Sequence, residues 1–219
     1  MFYRLILAHL VGDFVFQNGW LVRRKRTVFG LALHVGLVGL AMLPALWGQM
    51  EKWWSGMLVI LAVHAVADWS KIRLEPRLPV SPIIPFLVDP AVHVATIGAV
   101  VVLTERNGAS AAGAAADPVW WIASVYLIAT YALSIALPLW LDPPSLMRRS
   151  FGPRLILIGA SALVLTLAWR GLPLLIPVVG LGLYQAVARR LARNPVTPSF
   201  AIEFLAAIML AASLGWGLR

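Results

Sequence analysis

The segments Ala8-His9-Leu10-Val11-Gly12-Asp13-Phe14 and Val63-His64-Ala65-Val66-Ala67-Asp68-Trp69 write one polar pattern twice inside apolar runs. Leu33-His34-Val35 returns in the same way as Val92-His93-Val94. A His and an Asp four positions apart share one face of a helix. Burying both in hydrocarbon costs free energy unless they pair with each other, with a metal ion or with water. The repeat therefore predicts helices that turn a polar site away from lipid.

Composition points the same way. With 61% hydrophobic and 12% charged residues over 219 positions, the chain has too little polar surface for a soluble monomer. The expected class is all-α, a polytopic membrane helix bundle. A span needs about 20 apolar residues. Runs bounded by charge clusters, Pro and Trp give about eight transmembrane helices, near 3–18, 28–47, 54–70, 83–103, 118–140, 155–169, 172–188 and 198–216. Only Arg170-Gly171-Leu172-Pro173 separates the sixth from the seventh, so a single broken helix is the alternative there. The N-terminus does not resemble a secretory signal, because His9 and Asp13 interrupt its apolar run; it reads as the first span.

Lys and Arg favour cytoplasmic loops. Alternate connections hold Arg23, Arg24, Lys25 and Arg26, then Lys71, Arg73 and Arg77, then Arg148, Arg149 and Arg154, then Arg189, Arg190 and Arg193, thirteen of the eighteen basic residues. Both termini are thus expected outside. The same clustering at helix ends argues against a nucleic-acid partner despite the net charge of +9. Trp47, Trp53, Trp54, Trp120, Trp121, Trp169 and Trp216 fall at expected outer ends and Trp20, Trp69 and Trp140 at inner ends, where amphipathic rings sit at headgroup level.

The small-residue stretch 104–117 reads as an outer linker between a polar unit, 1–103, and a plainer four-helix unit, 118–219. Within the first unit, His9 and His64 lie 55 residues apart, and His34 and His93 lie 59 apart. Such offsets suit a parallel duplicated helical hairpin, packed as a four-helix bundle with polar faces inward.

His9–Asp13, His64–Asp68 and Asp89–His93 are three i, i+4 pairs, and His34 is a further imidazole with Gly30 where an acid would stand. Together these seven offer nitrogen and oxygen donors for one divalent ion, or for two sharing carboxylates. Zinc, iron and manganese are all compatible, and with no cysteine in the chain thiolate ligation is excluded. Asp13 and Asp68 are also the candidate catalytic groups. The plainer reading of each pair is a hydrogen bond that holds helices together. Asp89-Pro90 has a further alternative as the N-cap and first turn of the fourth helix, which would leave 79–88 as a re-entrant or interfacial stretch. Lys71 and Arg73, like Arg23 to Arg26, are inside anchors that could also hold a lipid phosphate beside the site.

The ordered set Leu7-Ala8-His9-Leu10-x-Gly12-Asp13-Phe14-x-x-Gln17, a basic stretch, a His in the next helix, His64-x-x-x-Asp68-x-x-Lys71 and Phe86-Leu87-x-Asp89-x-x-x-His93 resembles a family of small bacterial multi-pass proteins, domain of unknown function family 3307. The resemblance covers roughly residues 5–100 and departs at Pro90, where a Gln is expected after the Asp. It implies a bacterial inner-membrane address and no established activity.

Three functions compete on these residues. A metal-dependent hydrolase or transferase acting on a lipid-linked substrate would use an ion to activate water, Asp13 or Asp68 to orient or deprotonate it, and the basic rim to place a phosphate. A non-catalytic subunit of a larger complex or homo-oligomer would bind haem or a chlorophyll-type pigment through isolated His residues. A proton-coupled transporter would use the His and Asp groups as a relay.

Overall fold

Long apolar runs fill most of the chain, and helices follow. The computed structural model describes residues 1–17, 19–106, 118–141, 151–171 and 198–218, with no strand among them. In chain order the helices are α1 (Phe2–Leu10), a π-helical turn (Val11–Val15), α2 (Gly19–Arg24), α3 (Val28–Ala45), α4 (Met50–Leu74), a 3₁₀ turn (Glu75–Arg77), α5 (Ile83–Arg106), α6 (Pro118–Leu127), a second π-helical turn (Ile128–Ala132), α7 (Leu133–Leu141), α8 (Phe151–Trp169) and α9 (Pro198–Gly217). Helix occupies every expected segment among the described residues; 172–188, most of the expected linker, and Arg148, Arg149, Arg189, Arg190 and Arg193 lie outside them.

Among the described residues, three stretches are long and apolar enough to cross a membrane: Val28–Ala45, Ile83–Arg106 and Pro118–Leu137. Helix α4 is longer than the first of these, at 25 residues, but carries Glu51, Lys52, His64, Asp68, Lys71 and Arg73. Their polarity offsets its apolar face.

The chain divides into two compact units, Met1–Leu127 and Ile128–Arg219. In the first, α1 packs on α3 and α5, and α4 packs on the same two helices, closing a ring of four; α6 lies against α1. Each helix contributes one stripe. The stripe of α4 is Trp53, Gly56, Ile60, His64 and Asp68; that of α3 is Gly30, His34, Val38, Met42 and Ala45; that of α5 is His93, Ile97, Val100 and Val101. One end of the bundle is therefore hydrocarbon, with Leu5, Val38, Met42, Trp53, Ile60 and Ile97 almost wholly buried, and at the other end the stripes turn to His, followed by Asp on α4 and α5 and by Gly30 on α3. The outside is apolar: Val28, Phe29, Leu40, Val66 and Leu103 are exposed.

Two close approaches fix the geometry around the polar end. A Cβ on Gly12 would meet Val38 Cγ2 at 2.7 Å and Val38 Cα at 2.9 Å, so only glycine lets the π-helical turn after α1 come this near α3. A Cβ on Gly30 would collide with the Arg24 carbonyl oxygen. That corner is tied by the Thr27 hydroxyl, which caps α3 by accepting from the Gly30 N–H at 3.1 Å and donates to the Arg24 carbonyl at 2.8 Å.

Two expectations are corrected. Trp53 is not an interfacial ring; it is buried in the apolar core, because it falls on the inward stripe of α4 three residues before Gly56. The alternative that Asp89-Pro90 starts the fourth helix also fails. Helix α5 begins at Ile83, with Pro90 inside it, so Asp89 stands well within the helix and 83–88 are helical.

In the second unit α8 packs on α9, and both pack on the turn Ile128–Ala132. Small residues allow this: Ala129, Ser161, Ala168, Ala207 and Ala211 are buried.

Candidate metal centre

All seven predicted donors meet at the polar end of the first unit. His9 reaches Asp13 at 3.2 Å from the turn that follows α1; His64 and Asp68 on α4 lie 3.4 Å apart; His93 and Asp89 on α5 lie 3.1 Å apart. His34 on α3, which lacks an acid of its own, takes one from each neighbour: its Nε2 is 3.2 Å from Asp13 Oδ1 and 3.3 Å from Asp68 Oδ2. The imidazoles also face each other, His64 Nε2 to His34 Nε2 at 2.9 Å and His64 Nδ1 to His93 Nε2 at 3.1 Å. The four His residues and Asp68 are buried, while Asp13 and Asp89 each keep 18% of their side chains exposed. The cluster thus opens on its carboxylate side.

Asp13 belongs to a π-helical turn, closed by the Phe16 N–H donating to the Val11 carbonyl at 3.0 Å. Such a turn carries an extra residue and recurs at functional sites. Here the turn contains Gly12, which lies against Val38 of α3.

Two lysines complete the site. Lys25 Nζ lies 2.6 Å from Asp68 Oδ2 and donates to Gln17 Oε1 at 2.7 Å; Lys71 Nζ donates to Asp89 Oδ2 at 2.9 Å. Lys71 is therefore engaged with a site carboxylate. Arg73 stands apart, over the Trp69 ring at 5.8 Å, in a surface groove with Ser70, Leu74 and Arg77. The sequence reading missed Lys25 as a site residue. Within Arg23-Arg24-Lys25-Arg26 nothing distinguishes it; only the corner tied by Thr27 turns it inward.

Protons alone do not satisfy these atoms. With a proton on Nε2, His34 has one N–H for His64, Asp13 and Asp68; without it, a lone pair faces two carboxylate oxygens. Both ring nitrogens of buried His9, together with Asp13 Oδ1, His34 Nδ1 and Asp68 Oδ2, have no aligned hydrogen-bond partner. Buried polar atoms are otherwise nearly always bonded. A cation removes the conflict, since lone pairs of both elements converge on it. Ligands about 2.0–2.1 Å from one ion lie roughly 2.9–3.4 Å apart in octahedral or tetrahedral order. The separations of His34 Nε2 from its three neighbours, 2.9, 3.2 and 3.3 Å, fall in that range. Among the described residues two donor groups gather, His34–His64–Asp68 and His9–Asp13–His64–His93, each with ligand atoms within 4.8 Å of one another. Nitrogen and carboxylate oxygen suit zinc, iron or manganese.

No curated protein and no solved structure matches this chain. Residues 1–122, which include every donor described above, match the family described as Protein of unknown function (DUF3307), and the chain belongs to that family.

Proposed function

We propose that this chain is an integral protein of a bacterial inner membrane that holds a divalent metal ion among His9, Asp13, His34, His64, Asp68, Asp89 and His93. The ion serves hydrolysis or group transfer on a lipid-linked substrate. The observation that carries the reading is His34 Nε2 within 3.3 Å of a second imidazole and two carboxylates, all buried but the partly exposed Asp13, with no proton arrangement that serves them all. An apolar exterior around a polar centre supports the membrane address. The ring of α1, α3, α4 and α5, in which the two His-x-x-x-Asp helices share the same two neighbours, supports a duplicated hairpin.

A divalent ion in such a donor set supplies Lewis acidity and activates water at neutral pH. The chain's own groups supply the rest. Asp13, partly exposed and free of lysine among the described residues, is placed to accept a proton at the open side. Asp68, held by Lys25, orients His34 and His64. Lys71 and the rim arginines attract an anionic headgroup, with membrane lipids as immediate partners.

The pigment reading fits less well. The His64 ring centroid lies 4.5–4.9 Å from those of His9, His34 and His93, which leaves no cleft for a macrocycle beside it. Metal analysis of the purified full chain, with His64→Ala and Asp68→Ala in parallel, tests the proposal. A stoichiometric ion in the parent and its loss from both variants is expected. A parent without metal, or variants that keep it, would reduce the cluster to structural hydrogen bonding.

A further inference from the structure

Resting on the metal reading above, we infer that the cluster binds a second divalent cation together with a phosphate dianion, and that His64 and Asp13 are shared between the two ions. The geometry of these two residues is the first ground. His64 Nε2 faces His34 at 2.9 Å and Asp68 at 3.4 Å, while its Nδ1 faces His93 at 3.1 Å. Asp13 divides in the same way, Oδ1 facing His34 at 3.2 Å and Oδ2 facing His9 at 3.2 Å. The two donor groups overlap at His64, and Asp13, a member of the His9 group, reaches His34 of the other group through Oδ1. His9 makes the second position specific, since it is buried with neither nitrogen hydrogen-bonded and lies only in that group.

Charge is the second ground, and it names the ligand. Asp13, Asp68 and Asp89 against Lys25 and Lys71 leave the cluster one negative charge with neutral imidazoles. One divalent ion turns this to one positive charge. A second ion at the other His64 nitrogen displaces that ring's proton, so it would bring the cluster to two positive charges, which a low-dielectric interior resists. A dianion cancels them, and a phosphate monoester has both the charge and the oxygens to lie across two ions. Its way in is the open side, where Asp13 and Asp89 are partly exposed and Lys71 stands.

The test is equilibrium dialysis of the full chain in nanodiscs against zinc. Three arms are run: zinc with neutral lipid, zinc with inorganic phosphate, and zinc with phosphatidic acid in the disc. One ion per chain is expected in the first arm and two in a phosphate-bearing arm; the arm that responds identifies a free phosphate or a lipid headgroup. His9→Ala should keep the first ion and lose the second, and His93→Gln, a milder change, should do the same. One ion in every arm overturns the inference and leaves the metal reading standing. Two ions with neutral lipid alone overturn the coupling to phosphate. No ion in any arm overturns both.

Discussion

The two His-x-x-x-Asp copies share the same neighbouring helices but are held differently. In the α4 copy, Asp68 sits in regular helix, is buried, and has the Lys25 ammonium 2.6 Å away. In the α1 copy, Asp13 sits in a π-helical turn, keeps a partly exposed side chain, and faces three imidazoles. The difference teaches a division of labour. A carboxylate locked by a buried ammonium is a fixed strut, whereas one held by imidazoles at an open edge is free to exchange partners.

The largest effect should come from breaking the strut. Asp68→Leu strands the Lys25 ammonium, and losing one partner of a buried pair costs about 3–5 kcal/mol. Asp13→Leu strands no ammonium and should cost less than half as much. Denaturant unfolding of the metal-free protein in micelles measures both; equal losses would erase the distinction between the copies. The double variant Lys25→Met, Asp68→Leu should recover most of the loss, because an apolar pair of similar volume replaces the ion pair.

The next effect concerns the backbone. Gly12→Ala forces a methyl into Val38, including its Cα at 2.9 Å, and should destabilise by about 1–3 kcal/mol. The equivalent position in the other copy is Ala67, where Ala67→Gly should cost only about 0.5–1 kcal/mol, the helical penalty of glycine. If Gly12→Ala is neutral by the same unfolding assay, the close approach of Gly12 to α3 does not set the π-helical turn. The smallest effect is expected at the rim. Lys71→Met removes a partly exposed pair and should shift stability by about 1 kcal/mol or less, with metal content unchanged.

Much of the site was legible because its donors lie on helical stripes. His64 and Asp68 continue the spacing of Trp53, Gly56 and Ile60, so one face carries core and site alike. Helix positions followed from apolar runs for the same reason. What stayed hidden depended on tertiary geometry. Lys25 looks like its three basic neighbours until the Thr27 corner turns it inward. Trp53 looks like any end-of-helix Trp until the stripe of α4 is phased against α5. Asp89-Pro90 has the local chemistry of a helix start, yet the apolar run from Ile83 carries the helix through it.

X-ray absorption at the metal edge of the zinc-loaded full chain tests the central claim most directly. The account predicts nitrogen and oxygen ligands at about 2.0–2.1 Å, with outer-shell scattering from at least two imidazoles that is lost in His64→Ala. A shell of water oxygens without imidazole scattering, in protein that binds zinc, would contradict it.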